Sequence, residues 1–69
     1  MEDKNLSPFE AIVWAKIAAS AVFAGQTWEH ATITASKLTE VLRDRTTHSV
    51  RGELDEAVTQ GRISFEELS

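Results

Sequence analysis

The chain has 69 residues, a formal net charge of −4, two histidines and no cysteine. This composition excludes disulfides and thiolate metal sites, and the histidines are too few for a structural zinc site. A domain of this length buries only about 60% of its unfolded surface and usually needs extra stabilisation. We therefore expect one domain over residues 1–69, without metal or cofactor, that relies on a dense core or a partner chain.

The first predicted helix begins at "SPFE" and ends near Gly25. Ser7 can cap it, Pro8 suits the first helical position, and Glu10 stands three residues after the cap. Nearly every side of this helix is apolar, which is typical of a helix buried all round. We expect a second copy to cover part of residues 7–25; burial of the tryptophan in the chain's own core is the alternative. The candidate dimerisation residues are Phe9, Val13, Trp14 and Ile17.

A membrane span is the rival interpretation of residues 9–24. The run is shorter than the roughly 20 residues that a span needs. Lys16 at its centre would cost on the order of 3 kcal/mol in a bilayer. The opening "MEDKN" is acidic, unlike the basic start of a secretion signal. We expect a cytoplasmic protein.

The next segment is predicted to be a connector over residues 26–30. A short strand is expected at residues 32–34, because "TIT" alternates and is β-branched. Thr34 would then cap a second helix that contains "ASKLTEVLRD". Trp28, in the connector, would cover a small core or, alternatively, stand exposed as a binding residue.

The third predicted helix follows the turn "RTTHS" and ends at Gly61. Residues 62–64 are predicted to be a second short strand that pairs with the first. Phe65 and Leu68 are expected to fold back onto the core. The buried side of the third helix is predicted to consist of Val50, Leu54, Ala57 and Val58.

The stretch of residues 34–63, "TASKLTEVLRDRTTHSVRGELDEAVTQGRI", resembles the central part of a winged helix-turn-helix domain. The resemblance rests on "QGRI" and on the spacing of Leu38, Leu42, Val50, Leu54 and Val58. It implies a mainly α fold of three helices, winged-helix-turn-helix-like, with a short two-strand ribbon. The few residues after this stretch leave no room for a full wing.

The outward side of the third helix is predicted to be acidic, since it carries three carboxylates, Glu53, Asp55 and Glu56, and only one cation, Arg51. Carboxylates in the major groove are repelled by phosphates, so this helix favours a positively charged protein over DNA. A solvated helix face and pairing of Arg51 with Asp55 are the alternatives. The candidate partner-binding residues are Arg43, Arg45, His48, Arg51, Glu53, Asp55 and Glu56.

The opening "MEDKNLSPFEAIVWAKIAASAVFAG" and the acidic second half together resemble small phage proteins that act as quorum-sensing anti-activators. The resemblance implies an inhibitor that binds the DNA-binding domain of a host activator responsive to acyl-homoserine lactone, in the host cytoplasm. It also implies a second partner, a pilus-assembly ATPase.

No catalytic function is expected, since the sequence offers neither a nucleophile–base arrangement nor a glycine-rich phosphate loop. Two alternatives to the inhibitor remain. One is a small helix-turn-helix regulator that binds DNA. The other is an acidic DNA mimic that inhibits a nuclease.

Overall fold

The computed structural model describes residues 6–68, so the "MEDKN" opening lies outside it. The described chain forms α1 (Pro8–Phe23), α2 (Trp28–Arg45), α3 (His48–Thr59) and a short 3-10 helix (Phe65–Leu68). The mainly α expectation is confirmed. The predicted ribbon is wrong, because residues 32–34 lie inside α2 and residues 62–64 form no strand.

The start of α1 follows the sequence prediction. The hydroxyl of Ser7 accepts a hydrogen bond from the Glu10 backbone N–H, and the Glu10 carboxylate accepts one from the Ser7 backbone N–H. This reciprocal pair is a capping box, and Pro8 occupies the first turn. At the other end Gly25 has a φ of +106°, a left-handed conformation that glycine adopts without steric cost. The helix therefore ends where the sequence indicates.

The start of α2 is where the prediction is wrong. Thr27, not Thr34, caps the helix by accepting a hydrogen bond from the His30 backbone N–H, so most of the predicted connector is helical. The β-branched residues are accommodated because strand propensity is weak against tertiary packing. The side of α2 that faces the core carries small residues at intervals of four, which allow α1 to approach closely: Ala31, Ala35 and Thr39, each buried.

Helix α3 is capped by Thr47, whose hydroxyl accepts a hydrogen bond from the Val50 backbone N–H. Ala57 is buried, as predicted, and Leu54 and Val58 are half-buried. The prediction that Val50 is buried is wrong, because this side chain is 44% exposed. The inward side of α3 is therefore rotated away from the side that the apolar spacing indicates.

Helix α1 is the centre of the molecule. It packs against α2, α3 and the 3-10 helix, whereas α2 and α3 make at most a marginal contact with each other. At the 3-10 helix, the Lys16 ammonium lies 4.2 Å from the centre of the Phe65 ring. This contact supports the prediction that Phe65 folds back onto the helices. The Leu68 side chain lies outside the described part. Two helices joined by a short turn do match a helix-turn-helix unit in chain order, but here α1 fixes their relative orientation.

Candidate protein-binding surface

An ion pair between buried Glu10 and partly exposed Arg43 lies where the start of α1 meets the end of α2. Glu10 is 3% exposed. The Arg43 guanidinium holds its carboxylate with two bonds, from Nη2 to Oε1 at 2.8 Å and from Nε to Oε2 at 3.0 Å. These bonds lower the pKa of Glu10, against the opposing effect of burial. The pair joins two helices through charge-assisted hydrogen bonds.

Two polar contacts tie α3 to the same region. Nη1 of Arg51 donates to the backbone carbonyl of Arg43 at 3.1 Å. Oδ1 of Asp55 accepts from the backbone N–H of Phe9 at 3.0 Å, in the first turn of α1. Asp55 thus satisfies an N–H that has no partner within its own helix and places a negative charge at a helix N-terminus. Arg51 and Asp55 bond to separate partners, so the alternative of an Arg51–Asp55 pair is not observed.

The predicted partner-binding residues therefore divide into two groups. Arg43, Arg51 and Asp55 are partly buried and hold the helices together. The other four are exposed: Arg45, His48, Glu53 and Glu56. The sequence indicates only the capping role of Glu10; its ion pair is not predicted, because its partner lies 33 positions away.

A shallow depression opens at this junction of three helix ends. It gathers three of the predicted residues beside Glu10, and Gly52 lies at its edge. A Cβ atom on Gly52 would meet nothing within 4 Å, so packing within the chain does not require glycine there. The depression is lined by Ser7, Glu10, Arg43, His48, Arg51 and Gly52.

A second concavity, which we call the α3 groove, lies on the outer side of α3. Val50 is 44% exposed and Leu54 half-buried, so part of its lining is apolar. The backbone N–H of Arg62 donates to the Ala57 carbonyl at 2.8 Å, which brings the following turn to one end of the groove. The α3 groove is lined by Val50, Glu53, Leu54, Glu56, Ala57 and Arg62. Its chemistry is an apolar floor, two carboxylates and one guanidinium.

The four candidate dimerisation residues on α1 are half-buried against the chain itself. The Trp14 indole N–H donates to the Ser36 hydroxyl at 3.1 Å, and its ring meets Trp28 edge-on at 6.3 Å between centroids. Trp28 remains 63% exposed, and Phe23 at the same corner is 96% exposed. Further apolar side chains stand exposed on α2, namely Ile33, Leu38 and Val41. More open apolar surface therefore lies on the corner and on α2 than on the predicted α1 residues.

Neither a family model, nor a curated protein, nor a solved structure matches this chain. Within residues 6–68 no helix is both long and apolar enough to cross a bilayer. The same part of the chain holds no group of three or more acidic or histidine side chains placed to bind a metal ion.

Proposed function

We propose that this chain is a phage-encoded inhibitor that binds the DNA-binding domain of a host quorum-sensing transcription activator and blocks its access to DNA. It acts by occlusion in the host cytoplasm and performs no chemistry. The observation that carries the proposal is the exposed acidic side of α3, where Glu53 and Glu56 face solvent. Its sequence resemblance to phage anti-activators supports the choice of target.

The distribution of charge favours a protein partner over DNA. A nucleic-acid module gains affinity by placing free Lys and Arg against phosphates. Here Arg43 and Arg51 already bond within the chain. Exposed carboxylates instead attract the cationic surface that a DNA-binding domain presents, and they accelerate its association.

The test is a gel shift of an acyl-homoserine-lactone-responsive activator on its promoter DNA, with increasing amounts of the protein. We expect the activator–DNA band to disappear, while the protein alone shifts no duplex at low salt. Glu53→Lys/Glu56→Lys should weaken the inhibition. The matched control Glu40→Lys/Asp44→Lys, which makes the same charge change on exposed positions of α2, should retain it.

Two results would contradict the proposal. In the first, the protein alone retards random duplex DNA at low salt and does not displace the activator from its promoter. This identifies a DNA-binding regulator, since such proteins bind DNA non-specifically at low salt. Inhibition of a nuclease without any effect on the activator identifies an acidic DNA mimic.

The proposed inhibitor is a homodimer, because a chain of this length with so much exposed apolar surface gains stability from a second copy. Light scattering after size exclusion tests this, and a strict monomer at micromolar concentration would contradict it. The pilus-assembly ATPase is proposed as a second partner on the sequence resemblance alone. Co-elution of the two purified proteins tests that interaction.

A further inference from the structure

The α3 groove combines a small apolar floor with polar edges, which make up most of its accessible lining. Val50 is 44% exposed and Leu54 is half-buried, so both still present apolar surface to solvent. Glu53 and Glu56 stand three residues apart on α3 and line the same groove. Like charges at this spacing repel each other on a free helix. Arg62 supplies one positive charge against these two carboxylates, so the groove keeps a negative excess that favours a cationic partner, which would also cover the apolar floor.

We propose that the α3 groove binds a single basic amphipathic helix of the partner protein. Its apolar side chains, spaced three and four residues apart, lie on Val50 and Leu54, and its flanking Lys or Arg side chains pair with Glu53 and Glu56. This is helix-in-groove recognition, in which an apolar face gives affinity and flanking charges give register. The inference rests on the proposed function and specifies which element of the partner is bound.

Hydrogen bonds within the chain hold the α3 groove in place before a partner binds. The far side of α3 is held by Arg51 and Asp55 through bonds to α2 and α1. At the open end, Arg62 donates to the Gln60 side chain, which in turn donates to Glu56 at 3.3 Å. This short chain of hydrogen bonds orders the Glu56 carboxylate before binding. Ordered side chains lose less entropy when a partner binds.

The probe is a synthetic amphipathic helical peptide with leucines at i, i+4 and i+7 and flanking lysines, and calorimetry measures its dissociation constant. The matched peptide carries glutamates in place of the lysines. We expect the basic peptide to bind and the acidic one not to bind. Glu53→Gln/Glu56→Gln should weaken binding by about tenfold or more, because two charge pairs are lost. The control Glu40→Gln/Asp44→Gln should leave binding unchanged.

A second variant tests the apolar floor independently of charge. Val50→Asn should also weaken binding of the basic peptide, and its far-UV circular dichroism should remain that of the wild type because Val50 is exposed. Equal binding by the groove variants and the wild type, or equal binding of both peptides, would overturn the proposal.

The two proposals fail in different ways. If the protein displaces the activator from DNA but the Glu53/Glu56 and Val50 variants do so equally well, the groove assignment is wrong and the inhibitor function stands. If the basic peptide binds the groove but no activator is displaced, the groove assignment stands and the inhibitor function is wrong.

Discussion

Replacing Glu10 with glutamine should destabilise the fold by about 2 kcal/mol. Breaking a buried ion pair by removing one partner costs about 3–5 kcal/mol when the remaining charge stays buried. Here the Arg43 side chain is 40% exposed, whereas that of Glu10 is 4% exposed. The arginine left behind can therefore be hydrated, and the glutamine oxygen can still accept from the Ser7 N–H. Both effects bring the cost below that range.

Removing the arginine of the pair should cost more folding free energy than removing the carboxylate. Arg43→Met leaves the Glu10 carboxylate in a site that is almost closed to water, without its cation, and we expect a loss of about 3 kcal/mol. Thermal unfolding followed by circular dichroism measures both variants; a loss of about 2 kcal/mol lowers the melting temperature by roughly 10 °C in a domain of this size. An unchanged melting temperature for Glu10→Gln, or a smaller loss for Arg43→Met than for Glu10→Gln, would refute this reasoning.

The same pair makes stability depend on pH in a defined direction. The Arg43 hydrogen bonds lower the pKa of Glu10 below the ordinary value of 4.5. A carboxyl whose pKa is lower in the folded state stabilises the fold above its unfolded pKa and loses that contribution as the pH falls through the folded value. The stability difference between wild type and Glu10→Gln should be constant near neutral pH and shrink below about pH 4.5. A difference that persists unchanged into strong acid would contradict the assignment.

Three further substitutions test other contacts by chemical denaturation. Asp55→Ala should cost about 1 kcal/mol, because it removes the carboxylate that accepts from the first turn of α1; an unchanged midpoint would show that this contact does not hold α3. Trp14→Phe should cost about 1 kcal/mol through loss of the indole bond to Ser36, and a matching loss in Ser36→Ala would support that origin. Thr39→Val should stabilise the fold by about 1 kcal/mol, since the buried Thr39 hydroxyl has no hydrogen-bond partner; destabilisation would mean that the hydroxyl is bonded.

The parts of the fold that depend on local chemistry were predictable from the sequence. The capping box at Ser7 and Glu10 fixes the start of α1, and the glycines mark the ends of α1 and α3. The start of α2 is not predicted because residues 32–34 have strand propensity, yet they lie inside a helix that packs against α1. The signal that marks the true start is Thr27, a residue type that favours helix N-caps.

The candidate surface was predicted in part for a similar reason. Exposure of Glu53 and Glu56 follows from helical periodicity. The predicted burial of Val50 rests on its spacing with Leu54, Ala57 and Val58, but α3 packs against α1 with a different side. On the observed side of α3, Arg51 and Asp55 bond to the other helices, and Val50 is left exposed. A contact partner distant in the sequence cannot be read from the spacing of one helix.

The two sides of α3 differ in their contacts, and this difference affects which substitutions the protein can tolerate. One side of the helix carries the bonds to α1 and α2 that hold it in place, and the opposite side carries Glu53 and Glu56, which make no bond to either helix. Substitutions at Glu53 or Glu56 can therefore alter the recognised target at little cost in folding free energy, since surface changes are usually nearly neutral for stability. Under the proposed function, such substitutions would let the inhibitor follow changes in the surface of its partner without loss of its own fold.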